Sequence, residues 1–145
     1  MSKSLAKSLE HVLADTYAIY LKTQNYHWNV EGPHFRSLHL MFEDHYDDLF
    51  KAIDVAAELI RQLGCKVPAT FGIFAKNTKI KDGDENLSAE KMLKDLLADH
   101  ETIQKTLMEA LEEAHKANDE AVAAFLGERL SVHKKNAWFI RSTLA

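Results

Sequence analysis

Five side chains in one short stretch of this 145-residue sequence have the chemistry of metal ligands: His27, His39, Glu43, Asp54 and Glu58. Imidazole nitrogen combined with carboxylate oxygen suits iron, manganese or zinc, and an excess of carboxylates favours a site that can hold ferrous and then ferric iron. Each residue alone has a plainer reading. Acids on a helix flank are mostly solvated surface, and a histidine beside an apolar stripe is mostly a hydrogen-bonded core residue. The case for a metal site therefore rests on whether the elements carrying them bring all five to one place.

Periodicity supplies those elements. Apolar residues at Leu5, Leu9, Val12, Leu13, Tyr17, Tyr20 and Leu21 have the three-and-four spacing of an amphipathic helix over about Ser4 to Val30. Gly32-Pro33 ends it, with Pro33 expected at the first position of the next helix and Gly32 as its cap. The second helix carries Phe35, Leu38, Phe42, Leu49, Ile53, Ala56, Ile60 and Leu63 and stops at Gly64. The period is then lost as far as Leu87, through Pro68, Gly72 and Asp82-Gly83-Asp84-Glu85-Asn86, with room for a short helical turn around Phe71 to Ala75. Ser88 caps a third long helix, with Leu87 and Met92 as a hydrophobic staple across the cap. Its stripe is Met92, Leu93, Leu96, Leu97, Ile103, Leu107, Leu111 and Ala114. A break over Lys116 to Asp119 leads to a last helix with Val122, Phe125, Leu126, Leu130, Ala137, Ile140 and Leu144.

Loop lengths set the topology. The first and last connections are a few residues long, so the helices they join are antiparallel neighbours. The second helix is roughly 44 Å long at about 1.5 Å per residue, a span that the middle connection can cross. The expectation is an all-α, ferritin-like four-helix bundle, two antiparallel hairpins joined by a long crossover, in one domain over residues 1–145.

Such bundles commonly hold metal with a Glu-x-x-His pair on each of two helices. That pattern fails here: Glu112 and His115 lack a counterpart, and Gly32-Pro33 interrupts Glu31 and His34. At about 100° per residue, His39, Glu43, Asp54 and Glu58 instead share an arc of about 100° on the second helix, alongside Phe50 and Ala57. Along the axis, Glu43 and Asp54 are roughly 16 Å apart, far beyond the reach of one ion. Two copies of the helix packed antiparallel about a two-fold axis near Asp48 and Leu49 would set His39 and Glu43 of one against Asp54 and Glu58 of the other. His27, a tight turn away, would complete the set.

Composition excludes several classes. The formal net charge is -4, so no global positive field attracts nucleic acid. Cys65 is the single cysteine, which precludes an intrachain disulfide and is given no catalytic role. No apolar run is long enough for a membrane span, and Glu10, His11 and Asp15 interrupt any signal-like core, so a soluble cytoplasmic protein is expected. His100 and His133 fall on apolar stripes and read as core or interface residues, whereas His11, His34, His45 and His115 show no partner pattern. Met41, Met92 and Met108 read as packing residues.

HWNVEGPHF at His27 to Phe35, LHLMFEDHY at Leu38 to Tyr46, and Asp54-Val55-Ala56-Ala57-Glu58 resemble the signature of the Dps family, the miniferritins named for DNA protection during starvation. The resemblance runs over essentially the whole chain, including His133 to Trp138. It implies a hollow dodecameric homo-oligomer with ferroxidase sites at two-fold interfaces, each binding a pair of iron ions through His27, His39 and Glu43 of one subunit and Asp54 and Glu58 of its partner. It further implies Fe(II) oxidation by hydrogen peroxide or dioxygen, storage of ferric mineral, and protection against oxidative damage. Trp28 resembles the family's tryptophan near the site, with aromatic packing at the interface as the plainer reading. Asp119 and Glu120 match the region of the three-fold pores, although Ala121 and Ala124 stand where several relatives carry acids; Asp119 also reads as a helix cap. Family members that bind DNA directly often use a basic terminal tail, and only Lys3 and Lys7 precede the first helix, so direct DNA binding is expected to be weak or absent. The alternative is a shell that acts through its surface, as a nucleoid-associated particle with weak iron chemistry.

Overall fold

The computed structural model describes residues 3–145, which form five helices: α1 (Lys3–Asn29), α2 (Phe35–Gln62), α3 (Phe71–Asn77), α4 (Ala89–Lys116) and α5 (Glu120–Leu144). The four long helices make a bundle in which α1 packs on α2, α4 on α5, and α1 on α4. Residues 63–88 cross from one hairpin to the other and carry α3, whose seven residues include none that is buried. The ferritin-like all-α architecture expected from loop lengths is the one adopted.

Local chemistry accounts for the helix boundaries. The Ser88 hydroxyl accepts from the Lys91 amide at 3.2 Å, and Leu87, just before that cap, packs against the apolar cluster that holds Met92. Asp119 caps α5 by accepting from the Val122 amide at 3.0 Å. The start of α2 differs from expectation. The helix begins at Phe35, with His34 at the cap position making no side-chain cap, and Pro33 belongs to the preceding turn. Gly32, at φ 123°, adopts a conformation open to glycine alone, and its carbonyl accepts from the Phe35 amide at 3.1 Å.

The core falls into two apolar clusters. One gathers Leu5, Leu9, Ile19, Leu49, Ile60, Ile103, Leu107 and Leu126; the other gathers Tyr26, Val30, Leu38, Phe42, Met92, Leu96 and Ile140. The second cluster braces the corner between α1 and α2. Tyr26 and Phe42 are fully buried there, each stabilising the fold by about 2–3 kcal/mol through apolar burial. Three packing expectations fail: Leu21 is 53% exposed, Met108 49% and Phe35 43%. Thr16 and Thr23, both buried, continue the inward face of α1 where Leu21 turns off it.

Polar staples fix the crossover. Asp15, itself buried on α1, accepts from the Thr78 hydroxyl at 2.6 Å, the Lys79 amide at 2.9 Å and the Thr106 hydroxyl at 2.7 Å. His11 approaches the Asn77 carbonyl at 3.2 Å, so this histidine also has a structural partner.

Candidate metal centre

The α1–α2 corner brings His27, near the C-terminus of α1, against His39 in the second turn of α2. The two imidazoles stack with centroids 3.7 Å apart and planes inclined by 16°. Each Nδ1 meets the other residue's backbone carbonyl, His27 to His39 O at 2.8 Å and His39 to His27 O at 2.6 Å. A carbonyl oxygen only accepts, so both Nδ1 atoms carry their protons and both Nε2 atoms keep a free lone pair. A metal-ligating imidazole needs this tautomer, with its other nitrogen held by an outer partner.

Glu43 lies one turn beyond His39, with Oε1 3.9 Å from His27 Nε2. His27, His39 and Glu43 are the one group among the described residues whose ligand atoms all lie within 4.8 Å of one another. Phe35 stacks on His39 at 5.0 Å and Tyr46 sets its edge on His27 at 5.1 Å. These aromatics hold the imidazoles in place. Sequence reading had not singled out Tyr46, although it lies three residues after Glu43 and so shares its flank.

Asp54 and Glu58 do not join this cluster. They stand on exposed surface further along α2, and a hydrogen bond with Asp54 raises the Glu58 carboxyl above its usual range. Phe50, 62% exposed, sits between the two groups on the same flank. Leu49 is fully buried within its own bundle, so a helix pairing at this level would run over Phe50, not Leu49. Trp28, 63% exposed, lines a groove of about 640 Å³ with Leu21, Phe71 and Phe74.

Four long helices with an imidazole–carboxylate cluster at one corner define a ferritin-like protein. The family model for the ferritin-like domain matches residues 6–145. A DNA protection during starvation protein 2 of Bacillus anthracis is 31% identical over 144 residues, covering 99% of both chains. A low temperature-induced protein of Nostoc sp. is 35% identical over 136 residues, 92% of this chain and 76% of that one. The crystal structure of a Dps protein from Vibrio cholerae O1, described as a member of a broad superfamily of ferritin-like diiron-carboxylate proteins, superposes with a TM-score of 0.95 at 28% identity, covering 99% of this chain and 91% of that one. The chain belongs to the Dps family.

Among the described residues no helix is long and apolar enough to cross a membrane.

Proposed function

We propose that this protein is a ferroxidase and iron-storage miniferritin. Ferrous iron is its substrate, hydrogen peroxide or dioxygen the oxidant, and ferric mineral in a homo-oligomeric shell the stored product. The observation that carries this reading is a half-built site. Two histidines present free Nε2 lone pairs beside Glu43, while a carboxylate pair, Asp54 and Glu58, stands unpartnered on the same helix flank.

A second copy with α2 antiparallel to the first would bring its Asp54 and Glu58 to His27, His39 and Glu43. The exposed Phe50 would be covered in the same step. Each interface then carries two sites, and each site can take a pair of Fe(II). Two ferrous ions deliver two electrons to one peroxide, yielding two ferric ions and two hydroxide ions with no hydroxyl radical released. Carboxylates stabilise the ferric product. Closed into a dodecamer, such dimers enclose the mineral, and Asp119 and Glu120 at the start of α5 would contribute acid to an entry pore.

The test is Fe(II) oxidation followed with peroxide consumption. Wild type should use about two Fe(II) per peroxide, and His39→Ala and Asp54→Ala should each abolish rapid oxidation; unchanged rates in both variants would remove this site from the mechanism. Light scattering checks the oligomer, since a monomer that oxidises iron normally contradicts shared sites.

A further inference from the structure

Three of the four tyrosines in this chain make an unbroken row of rings that starts at the metal corner. Tyr46 on α2 sets its edge on His27, with centroids 5.1 Å apart. Tyr20 on α1 meets Tyr46 at 6.1 Å with an interplanar angle of 73°. Tyr17, one turn back along α1, meets Tyr20 at 5.8 Å and 78°. Each step falls within the ~4.5–7 Å of rings in edge-to-face contact.

Helix geometry sets the row. Tyr17 and Tyr20 are three residues apart on α1 and are therefore neighbours on one face, and the packing of α1 on α2 sets Tyr46 across from Tyr20. Packing alone would be satisfied by plain aromatic rings, and Phe50, 6.0 Å from Tyr20, is one. It does not require a phenol at every step. The three hydroxyl-bearing rings are consecutive and half-buried, with phenylalanine beside the row at Phe50 and at its far end at Phe74, which stacks on Tyr17 at 4.9 Å. Phenylalanine is far harder to oxidise than tyrosine, so an oxidising equivalent that enters at Tyr46 can pass to Tyr20 and Tyr17 and stops there. Gln24 Nε2 donates to Tyr20 Oη at 3.1 Å, which fills an acceptor position and leaves the phenol proton free to depart. Tyr26 is committed elsewhere, fully buried with its hydroxyl donated to Asp95. Tyr17 ends the row in the wall of the groove that Leu21, Phe71 and Phe74 also line, within reach of a small solute.

We propose that Tyr46, Tyr20 and Tyr17 form a one-electron relay that serves the iron corner when it holds a single Fe(II), an inference that rests on the ferroxidase reading. A pair of ferrous ions supplies both electrons that peroxide needs. A lone Fe(II) supplies one, and breaking the O–O bond would then release hydroxyl radical. Tyr46 supplies the missing electron. One peroxide takes one electron from Fe(II) and one electron with the phenol proton from Tyr46; its O–O bond breaks to give one hydroxide ion and one water, leaving one ferric ion and a neutral tyrosyl radical. Tyr20 then returns an electron and a proton to Tyr46, and Tyr17 does the same for Tyr20, which carries the radical away from His27 to the groove. There a one-electron reductant of the ascorbate class donates a hydrogen atom and restores the phenol.

The experiment mixes full-length protein, loaded with less than one Fe(II) per site, with excess peroxide, and reads Fe(III) and radical together in rapidly frozen samples by electron paramagnetic resonance. A spin trap in a parallel sample reports escaped hydroxyl radical. Wild type should show a tyrosyl signal, recognised by the collapse of its hyperfine structure when the tyrosine rings are deuterated, and little trapped hydroxyl radical. Tyr46→Phe, which keeps a ring against His27, should remove the signal and raise trapped hydroxyl radical several-fold. Tyr20→Phe should keep the signal and slow its quenching by ascorbate several-fold, with iron oxidation at full loading unchanged. Fe(III) formed without a tyrosyl signal, a signal that survives Tyr46→Phe, or quenching unchanged by Tyr20→Phe would overturn the relay and leave the ferroxidase reading standing. Absence of Fe(III) in wild type would remove both.

Discussion

His27 and His39 each donate an Nδ1–H to the other's backbone carbonyl, at 2.8 and 2.6 Å, and their rings stack between these bonds. This reciprocal pair joins the end of α1 to the start of α2 and fixes both tautomers at once. Replacing either histidine with alanine should therefore cost stability as well as iron chemistry. A loss of about 1–2 kcal/mol is expected from one hydrogen bond and the lost stacking, read as a lowered urea midpoint. Asn at position 39 should recover part of the stability and none of the oxidation.

Shared sites predict complementation. A His39→Ala subunit paired with an Asp54→Ala subunit would have one site doubly damaged and one intact. Co-assembled mixtures should thus regain rapid Fe(II) oxidation, to about a quarter of wild type if subunits pair at random, while each variant alone has none. Equal inactivity of mixture and parents would place all ligands in one subunit.

Asp48 and Arg129 make the second long-range test. Arg129 is 4% exposed, so Asp48→Ala leaves a buried guanidinium without its counter-charge. A loss of roughly 2–3 kcal/mol is expected, somewhat below the fully buried case because Asp48 is partly solvated. Asp48→Leu combined with Arg129→Met should be more stable than Asp48→Ala alone in denaturant melts.

Asp15 collects three donors from the crossover and α4. Asp15→Ala should destabilise by about 2–4 kcal/mol, because it strands buried Thr106 and frees the crossover backbone. Amide exchange at Lys79 should accelerate more than exchange in the middle of α5.

Acid should unfold the metal-free bundle earlier than its surface carboxylates alone would. His100 is held neutral down to about pH 3, against an ordinary value near 6.5, by burial first and then by the charge of His45 and Arg129. Because its folded value is depressed, the unfolded chain binds more protons below pH 6.5; stability is full above that pH and falls as pH drops towards 3. The slope is up to about 1.4 kcal/mol per pH unit for each such histidine. Urea midpoints measured from pH 7 to pH 4 should fall less steeply in His100→Leu.

Helix number, hairpin pairing and the crossover follow from period and loop length, because an amphipathic helix needs only local spacing to declare its buried face. The Ser88 and Asp119 caps are equally local, each closing within three residues. For the same reason helical phase alone puts His39, Glu43, Asp54 and Glu58 on one flank. Other features need the packed bundle. That His27 meets His39 through mutual backbone hydrogen bonds depends on the positive-φ turn at Gly32 and on the burial of Tyr26, which lies outside the apolar stripe read for the first helix. Leu21 and Leu5 look alike in a pattern, yet only Leu5 finds neighbours inside the bundle. His45 shows no partner in the sequence because His100 and His133 lie on the other hairpin, far away in sequence; only the packing of the two hairpins brings their rings together. Spacing along one helix determines which residues share a face, and tertiary packing decides what that face meets.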